Sequence, residues 1–336
     1  MLKVNQFDYA YPTGRIRARE IKLLDSSRFE RMLEAASPEE AYKVLTEADY
    51  GFGGEAAGDF HSFEALLSDE LKKTFLLLYE IAPQTEVIKA FQRRYDFFNV
   101  KVLLKAELQG VETPSILIET GTFGKDEIVR IIRERDYEEL TPVMRDAILN
   151  VYDVFSRMHD PQAIDLLLDK ASFSQFSSDL LNIDNAFLQS IAKITIDITN
   201  IKMYVRARAI NKTKDFLKKI LLDGGEIPVE LYIENAEKPV EALSEALRET
   251  KYRDVVKKGL DIYREKENVS GLEKLLDNFL MEFLYQAKLI TVGVEPFIVY
   301  LYAKETEIRN VRIIMTGKIN NLPADLIRER LRLGYV

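Results

Sequence analysis

An all-α fold is what this 336-residue sequence predicts, and three observations carry it. Apolar residues recur at three- and four-residue spacing along most of the chain, the period of helices with one buried face. Capping residues and breakers fall where such helices should begin and end. Strand signals are scarce, the best being the short run Ser115-Ile-Leu-Ile118.

In chain order, Ser37-Pro38-Glu39-Glu40 opens a helix. A capping hydroxyl precedes a proline at the first helical position, and acids follow in the first turn, where the helix dipole favours them. Glu70 to Ile81 reads as an amphipathic helix halted before Pro83, and Gly110 with Pro114 marks the next break. Thr141-Pro142 and Asp160-Pro161 repeat the cap-and-proline form, and Ser178 to Ala192 carries a further apolar stripe. Asp223-Gly-Gly-Glu-Ile-Pro228 interrupts again before the helical pattern of Gly271 to Lys288. The most apolar region, Phe279 to Ala303, reads as a buried core helix. Glu282, Lys288 and Glu295-Pro296 interrupt it, whereas a membrane span needs about 20 predominantly apolar residues. The N-terminus has no uncharged apolar core, so no signal peptide is read there and a cytoplasmic location is expected.

Composition narrows the chemistry. Apolar residues at 47% allow a sizeable core. The absence of Cys removes disulfides, zinc-thiolate sites, Fe–S clusters and thiol nucleophiles. The only two histidines, His61 and His159, read as capping or surface residues. Gly121-Thr-Phe-Gly124-Lys125 resembles part of a phosphate loop. It fails on glycine spacing and on Asp126, where a Ser or Thr should hold magnesium; Thr316-Gly317-Lys318 is shorter still. Adjacent carboxylates such as Glu39-Glu40 and Glu138-Glu139 diverge on a helix and read as solvated surface. A net charge of −8 argues against a nucleic-acid binder, and Arg15-Ile-Arg17-Ala-Arg19 reads as the start of an amphipathic helix. No catalytic, cofactor-binding or metal-ligating residue is expected, and no enzyme.

A pattern of acid-x-x-Asn-(Val/Ile)-base occurs three times. The copies are Asp96-Phe-Phe-Asn99-Val-Lys101, Asp197-Ile-Thr-Asn200-Ile-Lys202 and Glu307-Ile-Arg-Asn310-Val-Arg312. Two weaker landmarks precede each. One ends in Tyr, at Glu47-Ala-Asp-Tyr50, Glu134-Arg-Asp-Tyr137 and Glu249-Thr-Lys-Tyr252. The other is a leucine-rich turn ending in Asp, at Leu66–Asp69, Leu166–Asp169 and Leu275–Asp277. Three landmarks in one order, three times over, imply three homologous helical units: 1–112, 113–223 and 224–336.

On a helix the acid and the Asn lie one turn apart on a common face. A mid-helix amide needs a partner, so each Asn either locks one helix to the next inside its own unit or joins the others in a shared binding surface. Windows of twenty residues around the three motifs hold a surplus of eight positive charges, leaving −16 on the rest of the chain. Solvated helix faces would produce that asymmetry, and so would a basic surface suited to an acidic partner.

The opening Tyr9-Ala-Tyr11…Gly14-Arg-Ile-Arg17-Ala-Arg19, the helix around Tyr95 to Lys101 and the tail Glu307 to Ile314 resemble the C subunit of the bacterial and archaeal V/A-type ATPases. The eukaryotic counterpart is the d subunit of the vacuolar proton pump. The resemblance covers essentially the whole chain, and only the glycine-rich stretch Gly51 to Gly58 has no evident counterpart. It implies three pseudo-equivalent helical units forming a funnel with a central cavity. It also implies a non-catalytic socket joining the central rotor stalk to the membrane rotor ring, for proton or sodium ion transport. Implied partners are the other central-stalk subunits and the proteolipid ring. No cofactor, nucleic acid or direct membrane span is expected, and the chain would sit peripherally on the cytoplasmic face. Arg206 and Arg208 are candidate partner contacts if their helix faces the cavity. A generic helical scaffold unrelated to rotary motors is the alternative.

Overall fold

The computed structural model describes residues 1–48, 50, 60–112 and 116–336. Among these, helices dominate, and extended structure is confined to a two-residue parallel bridge of Leu2–Lys3 with Ile183–Asp184. The glycine-rich stretch 51–58 lies outside the described residues, as do Pro114 and Ser115. Ile116 to Ile118 form no strand, which corrects the one strand expectation. No helix among the described residues is long and apolar enough to cross a membrane.

The described residues gather into two compact units, one of residues 1–4 and 84–242, the other of residues 5–83 and 243–336. In the first unit the helix Thr85–Gln109 packs on Pro161–Leu181, which packs in turn on Pro142–Met158 and Ala186–Ala209. Phe97, Val100 and Leu104 meet Ile128, Ile131, Met144, Ile148, Ile164 and Leu168 in one apolar cluster. In the second unit the helix Val294–Ile319 packs on Ala10–Glu20, Pro38–Glu47 and Phe63–Ile81. Val311, Ile314 and Met315 face Met32, Leu33, Leu45, Leu66 and Leu67 there. Both clusters are built from the three- and four-residue apolar spacing of the sequence.

The cap expectations map onto the helix starts. The Ser37, Thr141 and Asp160 side chains each accept a backbone N–H of their own first turn, with proline just inside. Gly110 ends its helix in the left-handed conformation at φ 67°. His159 also caps a helix, at φ 53°, and stacks on Phe155.

Two stretches expected as continuous helix break instead. Ser178 to Ala192 is two helices, because the chain breaks at Asn182 to form the Ile183–Asp184 bridge and Asn185 then caps a new start. Phe279 to Ala303 also breaks: a helix ends at Leu284, a 3-10 turn runs to Leu289, and Gly293 begins the long helix. Apolar periodicity continues across both breaks, since Leu180 and Leu188, and Leu284 and Phe297, are buried on either side, so periodicity alone does not reveal them. The leucine-rich landmarks are not turns but lie inside helices, at 63–81, 161–181 and 270–284.

Candidate functional site

The three repeated motifs sit on the three longest helices, Thr85–Gln109, Ala186–Ala209 and Val294–Ile319. In each, the Asn is buried and makes the same pair of bonds. Asn99 donates its Nδ2 to the Ile118 carbonyl at 2.8 Å and accepts the Ile118 N–H on Oδ1 at 2.8 Å. Asn200 holds Leu222 in the same way, at 2.8 and 2.9 Å. Asn310 holds Arg332, at 2.8 Å for both bonds. The carboxamide thus presents one donor and one acceptor, as a β-strand residue would, to chain that has left the helix.

The acid one turn earlier fastens the same segment further on. Asp96 accepts from the N–H and hydroxyl of Thr122, at 3.1 and 2.6 Å, and from the Phe123 N–H at 3.3 Å. Asp197 accepts from the N–H groups of Glu226 and Ile227, at 3.1 and 3.0 Å. Phe123 and Ile227 each stand immediately before the cap of a following helix, Lys125–Glu134 and Val229–Glu234. The approach is close enough to require glycine. A Cβ at Gly121 would lie 2.1 Å from Asp96 Oδ1, and one at Gly225 would lie 2.1 Å from Asp197 Oδ1. The glycines that resembled a phosphate loop therefore serve this joint, and Gly124 caps the helix after it.

The third joint draws its two parts from opposite ends of the sequence. Asn310 holds Arg332, while Glu307 accepts the N–H of Leu24. Leu24 precedes the cap Asp25 and the helix Ser26–Glu34, the register held by Phe123 and Ile227 in the other joints. Glu307 also accepts the Tyr50 hydroxyl and pairs with Lys304 at 2.7 Å, and Lys304 reaches Glu70 at 3.0 Å. Burial would lower the Lys304 ammonium pKa, but the Glu307 and Glu70 carboxylates outweigh it and hold the group above its usual range. Tyr137 and Tyr252, which share the landmark of Tyr50, are likewise buried.

The basic residues of the first and third motif helices are largely met by acids of helices packed against them. Lys101 pairs with Asp169 at 2.6 Å, Lys105 with Asp165 at 2.7 Å, and Arg93 with Asp179 at 2.6 Å. Arg312 forks onto Glu64 at 2.8 to 3.1 Å, and Arg309 reaches Asp277 at 3.4 Å. Much of the positive surplus is thus internal cross-helix pairing. Lys202 lies half-buried on the second motif helix. Near that helix's C-terminus Arg206 is exposed, whereas Arg208 is half-buried and donates to the Lys238 carbonyl at 3.0 Å. Arg17, read as part of a helix start, donates to the Ala287 and Ile290 carbonyls at 2.7 and 2.9 Å.

Sequence reasoning places the nine motif residues but misses Leu24, Glu70, Lys304, Gly121 and Gly225. The two glycines carry a signal in retrospect, each standing 22 to 25 residues after its Asn. Among the described residues no group of acids and histidines could hold a metal ion.

A family model described as ATP synthase (C/AC39) subunit matches residues 12–330. The C subunit of the V-type sodium ATPase of Enterococcus hirae is 28% identical, over 95% of this chain and 97% of its own length. The C subunits of the A-type ATP synthases of Methanocaldococcus jannaschii and Pyrococcus furiosus are each 28% identical over 96% of this chain, with 86% and 89% of their own lengths covered.

Proposed function

The chain belongs to the ATP synthase (C/AC39) subunit family, and from that premise we propose that it is the non-catalytic socket seating the central rotor shaft on the membrane rotor ring of a V/A-type rotary ATPase. The observation that carries this reading is the set of three like joints, each anchored on a buried Asn whose donor and acceptor are both paired. A part that transmits torque must resist bending where helices meet loops. Fully paired buried polar groups supply that stiffness, because moving the loop would strand donors and acceptors away from water.

The repeated joints support a division into three homologous units, 1–112, 113–223 and 224–336, arranged with pseudo-threefold character around a central cavity. The other central-stalk subunits would enter from one end and the proteolipid ring would take the other. The protein would sit peripherally on the cytoplasmic face. Arg206, exposed at the C-terminal end of the second motif helix, is the preferred stalk contact. Arg208, half-buried near the same helix end, is the second candidate.

Co-purification with stalk and ring subunits tests the proposal. Omitting this chain should abolish ATP-driven ion transport in reconstituted membranes while ATP hydrolysis by the catalytic head persists. Transport that survives the omission would overturn the reading. An Arg206→Glu chain should pull down less stalk complex; unchanged recovery removes Arg206 from the interface.

A further inference from the structure

The third joint opens onto a cavity of about 310 Å³ inside the second compact unit. Its lining includes Tyr50, Tyr300, Glu70 and Lys304, together with exposed Arg19 and Lys22 and half-buried Lys73. Four cationic side chains and one carboxylate thus line it. The Glu70 carboxylate is engaged by Lys304, and Glu307 behind it is engaged by Lys304, Tyr50 and Leu24.

Lys304 is the unusual member. Its side chain is 5% exposed, yet it lines the cavity. An ammonium has three N–H donors; two go to Glu70 and Glu307, and the group also lies 5.2 Å over the Tyr50 ring. Lys73 adds a further charge to the lining while also pairing with Asp69 at 2.7 Å. Arg19 acts on the Tyr300 phenol as a nearby positive charge. The other two joints are built differently at the equivalent place: Lys22 stands where they have Gly121 and Gly225, two residues before the fastened N–H. The residue that departs from the repeat is therefore one that adds charge to the cavity.

We propose that this cavity is a binding site for a small phosphate anion, with Lys304 at its floor and Arg19, Lys22 and Lys73 closing around it. The volume equals about ten waters at roughly 30 Å³ each, enough for inorganic phosphate with hydration or for pyrophosphate. A tetrahedral oxyanion offers acceptors in several directions, matching cations that converge from the 10–20, 63–81 and 294–319 helices and the turn after the first of them. The site goes beyond the socket role and does not depend on it.

Titration calorimetry of the full chain with inorganic phosphate, pyrophosphate and glutarate at matched ionic strength tests the proposal. Saturable binding of phosphate or pyrophosphate is expected, weakening as salt rises. The Arg19→Gln/Lys73→Gln chain should bind roughly tenfold more weakly or worse, with an unchanged far-UV spectrum. Both side chains are more exposed than Lys304, so the fold does not depend on them as it does on Lys304. No saturable binding, binding of glutarate alone, or phosphate affinity unchanged in the double variant would each overturn the proposal.

Discussion

Replacing Asn200 by alanine removes two hydrogen bonds and strands both backbone groups of Leu222, a residue 3% exposed. An unsatisfied buried donor or acceptor costs about 1–3 kcal/mol, so the pair should cost roughly 2–6 kcal/mol. That is a large fraction of the 5–15 kcal/mol typical of a folded domain. The same substitution at Asn310 should cost less, about 1–2 kcal/mol, because half-buried Arg332 can recover water. Urea unfolding followed by circular dichroism gives the size of both losses. Because the chain holds two compact units, amide exchange at Leu222 and Arg332 gives the local test that a global transition blurs. A loss below about 1 kcal/mol at Asn200, or equal losses at the two sites, would refute the claim that burial of the held backbone sets the strength of each joint.

Gly225→Ala and Gly121→Ala should each destabilise by about 1–3 kcal/mol, since the new Cβ must displace a carboxylate now 2.1 Å away. Gly124→Ala, with nothing within 4 Å of its Cβ, is the clash-free control and should cost at most about 1 kcal/mol through the poorer N-cap, and thermal denaturation ranks the three. Burial pushes the Asp96 carboxyl up from 3.8 to about 6, against its Thr122 and Phe123 donors and the nearby Arg93. A folded value above the unfolded one means the native state holds the extra proton. The stability this group contributes is therefore full below 3.8 and is lost as pH rises through about 6. Urea midpoints measured across that window should fall with pH in the parent and flatten in Asp96→Asn.

The sequence makes the helical class, the proline-opened caps and the three motif helices legible, because each rests on local spacing. An acid and an amide one turn apart announce a shared face wherever they fall. What they hold is not legible, since Ile118, Leu222 and Arg332 are bound through backbone atoms that any residue type supplies. Helix breaks at Asn182 and between Leu284 and Val294 are hidden for a related reason: the apolar stripe continues because residues on both flanks are buried. Charge is the most misleading cue. A basic surplus around the motifs suggests an open surface, yet Lys101, Lys105, Lys304 and Arg312 are each met by a carboxylate from another helix.

The third joint shows why the acid of the motif is Glu in one copy and Asp in the others. Asp96 and Asp197 reach their N–H partners only because a glycine lets the backbone come close. Lys22 occupies that register before Leu24, and its side chain forbids the same approach, so the carboxylate must extend by one methylene. Shortening it by Glu307→Asp should weaken its hold on Leu24, Tyr50 and Lys304 together, leaving a buried ammonium with Glu70 as its remaining partner. Removing one member of such a buried pair costs about 3–5 kcal/mol, and Asp, which keeps the charge, should cost somewhat less. If the length of the acid answers the bulk at position 22, Lys22→Gly should recover part of that loss in the double variant. The coupling between the two sites would then lie between about 0.5 and 3 kcal/mol, favouring the matched pairs. Losses that simply add would mean that Glu307 is long for the sake of Lys304 and Tyr50 alone, and that the glycine rule belongs to the first two joints only.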